Sequence, residues 1–230
     1  MKFAAILTRL ILGVAFCAAL ASADEYTLDF NIAVPTAGMI SYAGGGNPLA
    51  GSAISIDSVD SLNDTPLNND VLRSCLSCSL SFTTGDFLSY SSGIWTFAPG
   101  GTLTVSGTLD LNGDGTADSG DAIGTLMTGS FTDPTMVVAA GGSFKVAVGA
   151  FGDTVNSTLS NFYGLPDSTI QPYAGNFNVS FLANGAPGGA FNSSTMLSGD
   201  IETSVPEPLS ILLLGTALFG CAMIAKRRLA

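Results

Sequence analysis

Tyr26-Thr27-Leu28-Asp29-Phe30-Asn31-Ile32-Ala33-Val34 is the stretch that decides the fold. Tyr26, Leu28, Phe30, Ile32 and Val34 are apolar, and the residues between them are polar or small. Successive side chains of a strand point to opposite faces, so a period of two describes a strand buried on one face and wet on the other. The pattern recurs in Leu103, Val105, Leu109 and Leu111, with Gly107 in the same register, in Phe144, Val146 and Val148, and in Phe177, Val179 and Phe181. Shorter strand candidates are 39–42, 53–57, 79–84, 94–98, 123–131, 135–139, 157–163 and 199–203. Gly44-Gly45-Gly46-Asn47-Pro48, Pro99-Gly100-Gly101, Gly141-Gly142 and the run 184–189 punctuate them. A helical period is sustained nowhere, although 58–75 could hold a helical turn. The expected body, 24–204, is all-β: an antiparallel β-sandwich or jelly-roll-like domain.

The wet face of these strands is Ser, Thr, Asn and Asp, and threonine suits a half-buried pleated surface. All 18 acidic residues lie between 24 and 208, with only Arg73 and Lys145 as cations, a charge of −16 for that stretch. Nucleic-acid affinity rests on basic side chains neutralising phosphates, so a nucleic-acid partner is excluded. The chain has no histidine, which removes Ser-His-Asp and Cys-His nucleophiles and the zinc sites built on imidazole.

The remaining basic residues sit at the two ends. Lys2 and Arg9 precede the short apolar run 10–20, and Ala21-Ser22-Ala23 then offers a small-x-small pattern before Asp24-Glu25. This is the layout of a secretory signal peptide, residues 1–23, with signal peptidase as the partner and cleavage expected after Ala23. An uncleaved N-terminal anchor is the other reading. Export would place the body in an oxidising compartment.

At the other end, 209–225 is free of charge and is followed by Lys226-Arg227-Arg228. As a helix it would be roughly 26 Å long, enough to span a thin hydrocarbon core, with the cations kept on the cytoplasmic side. Just before it stands Val205-Pro206-Glu207-Pro208, which can be neither helix interior nor sheet donor and is held extended. An ordinary tail anchor would have the same apolar and basic parts.

Val-Pro-Glu-Pro, an apolar helix and a basic cluster, in that order over 205–230, resembles the PEP-CTERM sorting signal. The resemblance implies recognition by exosortase, an integral membrane cysteine protease or transpeptidase. It also implies removal or exchange of the tail near Pro206, Glu207 and Pro208. It implies a Gram-negative bacterium with an exopolysaccharide matrix, a membrane-held precursor, and a mature form at the cell surface or in that matrix. The body is similar to PEP-CTERM proteins of unassigned function in its Trp95-Thr96-Phe97 strand, its Gly-Gly-Thr-Leu-Thr-Val strand and its Gly-Thr-Leu-x-x-Gly-x-Phe strand (124–131).

Asp110-Leu-Asn112-Gly-Asp114-Gly115-Thr116-Ala-Asp118-Ser-Gly-Asp121 carries the sharpest local chemistry. With Asp110 as position one, oxygen-bearing side chains fall at one, three, five, seven, nine and twelve, and Gly115 at six. That is the spacing of an EF-hand-type calcium loop. Calcium takes about six to eight oxygens at roughly 2.3–2.6 Å, and glycine at six permits the sharp bend. The loop resembles those of dockerin modules, which also end in Asp. It departs from both families in its strand-like flanks and in Ala117 at position eight. The cofactor expected is Ca2+, capping the connection between strands 102–111 and 122–131. An acidic hairpin loop that simply stays solvated is the alternative.

Cys75 and Cys78 are the only cysteines between the two ends. No βαβ context supports a redox pair, and the ligands for zinc are missing, so a local disulfide is expected.

Glycoside hydrolysis asks for two carboxylates roughly 5–10 Å apart across a cleft. Asp86, Asp133, Asp153 and Asp167 qualify only as acids read in loops. Tyr42, Tyr90, Trp95, Tyr163 and Tyr173 could stack on sugars if exposed, although Trp95 and Phe97 alternate with polar neighbours as core residues do. The expected function is a non-enzymatic, exported surface or matrix protein. A carbohydrate-binding module for extracellular polysaccharide and a secreted hydrolase are the alternatives.

Overall fold

The opening stretch forms β1 (Thr27–Ile32), with Leu28, Phe30 and Ile32 buried and Asp29 and Asn31 on the wetter face. The computed structural model describes residues 26–32, 36–62, 65–140 and 144–205. The signal peptide, Ala21, Ala23, Pro206, Glu207, Pro208 and the apolar segment 209–225 lie outside the described residues. No helix among those described is long and apolar enough to cross a membrane.

The other strands are β2 (Met39–Tyr42), β3 (Pro48–Leu62), β4 (Arg73–Ser91), β5 (Ile94–Phe97), β6 (Gly100–Leu109), β7 (Ala122–Phe131), β8 (Thr135–Ala139), β9 (Phe144–Val155), β10 (Tyr173–Leu182), β11 (Phe191–Ser193) and β12 (Met196–Ser204). The pairings are antiparallel, as expected for an all-β body. Neighbours run β3-β1-β12-β10-β9-β7-β6-β4, and β4 pairs back onto β3, so the sheet closes on itself. Toward the other end β5 and β8 take over from β6 and β7 between β4 and β9. β2 continues alongside β3 where β1 leaves off, and β11 pairs with β2. Closure removes the unpaired edges that would otherwise template association.

β3, β4 and β9 extend well beyond the alternating text that announces them. In β3 and β4 register shifts are the reason. β3 slips against β4 at Pro48/Ala50, Gly51/Ile54 and Ile56/Ser58, and Ala53 takes φ +51°. The first two shifts each add one residue on one strand, which flips the inside–outside phase there, and the third adds two on β4. In β9 the phase is the opposite of the one read from Phe144, Val146 and Val148: Lys145, Ala147, Phe151, Asp153 and Val155 are buried, and Val146 and Val148 are only half-buried.

One expected strand is a helix. Residues 157–163 form α1 (Ser157–Tyr163), the one helix among the described residues. Asn156 caps it, its side chain accepting from the N–H of Thr158 (2.9 Å) and of Leu159 (3.4 Å). Gly164 ends it at φ +73°, where its N–H reaches the carbonyls of Asn161 and Ser160. Leu159, Ser160 and Tyr163 are buried on one side of the turn. The cap pair Asn156 and Gly164 bounds the helix, and Leu159, Phe162 and Tyr163 stand at the i, i+3, i+4 spacing of one helical face rather than in strand alternation. The stretch 58–75 has no helical turn among its described residues; it finishes β3, turns, and starts β4.

The core is aromatic at its centre. Phe82 and Phe177 have ring centroids 4.8 Å apart, and Phe131 packs on Phe177 at 5.9 Å. A Cβ on Gly51 would stand 2.1 Å from the Phe82 ring, and one on Gly175 would stand 2.2 Å from Phe151. These glycines are the spaces the rings occupy. Burying one such ring stabilises by roughly 1.5–3 kcal/mol.

Candidate functional site

Strand register gathers the sequence-marked residues at one rim of the closed sheet. Thr27 stands opposite Leu62 and Ser204, Cys75 opposite Leu109, Leu109 opposite Ala122, and Tyr173 opposite Asp153. Loop 110–121, the Cys75–Cys78 pair, α1, and the first and last described residues Tyr26 and Val205 all belong to this rim. The N–H of Val205 donates to the Tyr26 carbonyl at 3.0 Å.

The loop connects β6 to β7. Asp110 and Asp121 are buried at its base, and 112–120 are exposed. Asp110 accepts from the N–H of Gly113 (2.7 Å) through Oδ1 and of Gly115 (2.8 Å) through Oδ2. Asp121 accepts from the N–H of Leu111 (2.9 Å) and of Asp118 (3.0 Å). The base is thus tied by carboxylate-to-backbone bonds. Gly115 has φ +78°, the left-handed bend that glycine reaches without steric cost. Asp114 Oδ1 accepts from both the hydroxyl and the N–H of Thr116, which hold its carboxyl below the usual range.

Asn112 Nδ2 donates to Asp114 Oδ2 (3.1 Å) and Asp118 Oδ2 (3.4 Å). An amide donor therefore stands between the two carboxylates. Among the described residues no three His, Cys, Asp or Glu side chains stand together as a metal cluster. The donor set still has the chemistry of a hard cation's site: Asp110, Asn112, Asp114, Asp118 and Asp121 carry side-chain oxygens, and each oxygen of Asp110 and Asp121 keeps a second lone pair beside its one backbone bond. Arg73 lays its guanidinium 5.2 Å from the centre of the Phe162 ring, and a Cβ on Gly113 would lie 3.3 Å from its Nη1.

Cys75 and Cys78 are bridged, with Cα atoms 5.4 Å apart. The bridge spans a bulge. Leu76 pairs with Thr108 and Ser79 with Ser106, so two residues of β4 face one of β6, and Ser77 takes φ +63°. The facing residue is Gly107, where a Cβ would stand 2.5 Å from Cys78 Cα. The bridge links to the loop base, since the N–H of Asp110 donates to the Ser74 carbonyl at 3.0 Å.

The carboxylates considered for hydrolysis belong to different elements. Asp86 lies in β4 and Asp153 in β9, not in loops. Asp153 is 3% exposed and accepts from the Thr203 hydroxyl. Burial pushes it up to about 7, against the pull of that hydrogen bond. Asp167 accepts from the Thr169 hydroxyl and N–H, which hold it down. The cluster that does form was not legible in the sequence. Asp29 stands in register with Asp60 on one side and Glu202 on the other, with Asp200 facing Asn31 next door. Burial first, then Asp200, Glu202 and Asp60, push Asp29 up to about 6. Alternation marks Asp29 as outward, but only the pairing of β1 with β3 and β12 makes these acids neighbours.

The candidate stacking aromatics are mostly inside. Tyr42, Trp95, Tyr163 and Tyr173 are each at most 2% exposed, and only Tyr90 is half-buried. Trp95 packs between Tyr90 and Phe191, beside the buried Lys145, whose Nζ donates to the Ala183 carbonyl at 2.6 Å. An open cavity of about 350 Å³ near this opposite end is lined by Ser41, Tyr42, Ala43, Asn184, Ala190, Phe191 and Asn192, with no carboxylate. Comparison with protein-family models, curated proteins and solved structures finds no match to this chain.

Proposed function

We propose that the chain is an exported, non-enzymatic protein of the cell surface or extracellular matrix. Its tail, 205–230, serves as a sorting signal for an exosortase-type membrane protease. One structural observation supports this beyond the tail's own sequence. The first and last strands of the body are paired, so the residues following the Ala21-Ser22-Ala23 pattern and those preceding Pro206-Glu207-Pro208 lie side by side. A body whose two ends leave together can be held at a membrane by either end without being threaded or strained.

Among the described residues the candidate stacking aromatics Tyr42, Trp95, Tyr163 and Tyr173 are buried, which favours this reading over a carbohydrate-binding module. A sandwich-like body with an acidic, hydroxyl- and amide-rich surface suits a secreted matrix component that stays soluble by charge. Calcium belongs to the same proposal. Asp110, Asn112, Asp114, Asp118 and Asp121, with the backbone carbonyl of Thr116, would hold it, and its role would be to stiffen a long connection.

Replacing Pro206 and Pro208 together by alanine in the producing host tests the sorting reading. The account expects unprocessed precursor to accumulate in the membrane fraction. Processing at the parental rate would overturn it.

A further inference from the structure

The open cavity of about 350 Å³ lies at the end of the closed sheet away from the rim where Tyr26 and Val205 meet. Strand register builds one of its walls. Ser41 of β2 stands opposite Asn192 of β11, and Asn192 stands opposite Asn184 in an isolated antiparallel bridge. Residues directly opposite one another share a face, with Cβ atoms about 4.5–5.5 Å apart. A hydroxyl and two primary amides therefore form one cross-strand row, and all three line the cavity. Ala43 and Ala190 add methyl groups to the lining.

The segments around this row are tied down. After β2, the Tyr42 hydroxyl donates to the Gly45 carbonyl and Asn47 Nδ2 to the Gly44 carbonyl, both at 2.6 Å. The segment 183–190 is held near both ends. Lys145 Nζ donates to the Ala183 carbonyl at 2.6 Å, and Trp95 Nε1 donates to the Gly189 carbonyl at 3.3 Å. Lys145 and Trp95 are each 2% exposed. Burying a cation without a carboxylate is costly, and the hydrogen bond this one makes fixes the residue before Asn184. Walls held in place before a ligand arrives lower the ordering cost of binding it.

The lining residues also define the ligand's chemistry. They include no charged group, and the acidic body around them disfavours an anion. A cation would find no carboxylate among them. Amides and hydroxyls both donate and accept, so their best complement is a molecule whose polar groups do both. The hydroxyls of a neutral sugar ring do so, and its C–H face can rest on the two alanine methyls. The volume is near the lower end of the range for small-molecule sites, about 300–1,000 Å³, which suits a single ring, and the open mouth lets a longer chain continue outward.

We propose that Ser41, Asn184 and Asn192 bind one neutral glycosyl ring in this cavity, as a free sugar or as the end of a neutral polysaccharide. The contacts come from the amide row and need no stacked aromatic. The inference goes beyond the matrix-protein reading and is independent of the sorting signal, since it holds or fails on the purified chain.

Trp95 is the only tryptophan of the chain, so its indole N–H gives one resonance, and that group is bonded to the cavity wall. The full chain, in zwitterionic micelles without sugar headgroups, is titrated with the methyl glycosides of glucose, mannose and galactose, with glucuronate as the anionic control. At least one neutral glycoside is expected to shift the Trp95 resonance saturably, and glucuronate to bind at least about tenfold more weakly. Asn184 and Asn192 are exposed, so Asn184→Ala and Asn192→Ala leave the core intact, and each is expected to weaken binding about tenfold. Asn178→Ala, on the exposed face of β10, is expected to match the parent. Dextran that shifts the resonance assigns the site to a polymer end, and dextran that leaves it unmoved assigns it to a free sugar. No saturable shift with any of the three glycosides overturns the proposal, as does binding by N184A and N192A at the parental affinity.

Discussion

Thr27 and Ser204 stand directly opposite each other across β1 and β12, so the beginning and end of the body are hydrogen-bonded neighbours. The whole closure depends on this seam, because β1 also pairs with β3 and β12 with β10. Phe30, fully buried and opposite Ile201, packs at its middle. Phe30→Ala is expected to cost about 3–5 kcal/mol, read as a shift in the urea unfolding midpoint. A shift below about 1 kcal/mol would mean that the seam is peripheral to the core.

The buried carboxyl of Asp153 makes stability depend on pH with a definite sign. Its folded value is raised to about 7 by burial, against an ordinary value of 3.8. The folded state therefore binds a proton that the unfolded state releases. The stabilisation is fully present below about pH 4 and is lost as pH rises through about 7, a change of about 4 kcal/mol. Thr203 faces this group from β12, Tyr173 stands in register on β10, and β7 offers Gly129. Asp29, raised to about 6, acts in the same direction with solvent screening to weaken it. Urea midpoints are expected to fall from pH 5 to pH 8 in the parent and to fall much less in Asp153→Asn. A parent more stable at pH 8 than at pH 5 would contradict the burial of this carboxyl.

Calcium is expected to raise the thermal midpoint. A ligand at a hundred times its Kd adds about 2.7 kcal/mol. Asp114 and Asp118 are exposed, so replacing both by alanine should abolish the calcium response while leaving the calcium-free midpoint nearly unchanged. Asp121→Ala, which frees the N–H groups of Leu111 and Asp118, should lower it even without calcium. No shift at millimolar calcium would leave the loop a solvated hairpin.

The Cys75–Cys78 bridge closes a very short loop, so the chain-entropy model assigns it about 2 kcal/mol. Cys75→Ser with Cys78→Ser is expected to lower stability by that order, and both cysteines should resist alkylation until reduced. Ready alkylation without reductant would show the pair to be free thiols.

Fold class was legible because β1, β6 and β10 each keep one unbroken phase of alternation. The ends of β3 and β4 were not, because bulges at Ala53 and Ser77 invert the phase midway. The helix 157–163 was legible in principle, since Leu159, Phe162 and Tyr163 stand at helical spacing between the cap residues Asn156 and Gly164, but seven residues are too few for the period to stand out among strands. At the site, the spacing of 110–121 disclosed the bend at Gly115. The acidic neighbours Asp29, Asp60 and Glu202 could not be read, since they meet through strand pairings far apart in the chain.

The direct measurement is intact mass spectrometry of the mature protein recovered from its producing host. The account predicts an N-terminus at Asp24 and a C-terminus within Pro206-Glu207-Pro208, free or carrying an added group. A working form that begins at Met1 or still carries Leu229-Ala230 would contradict it.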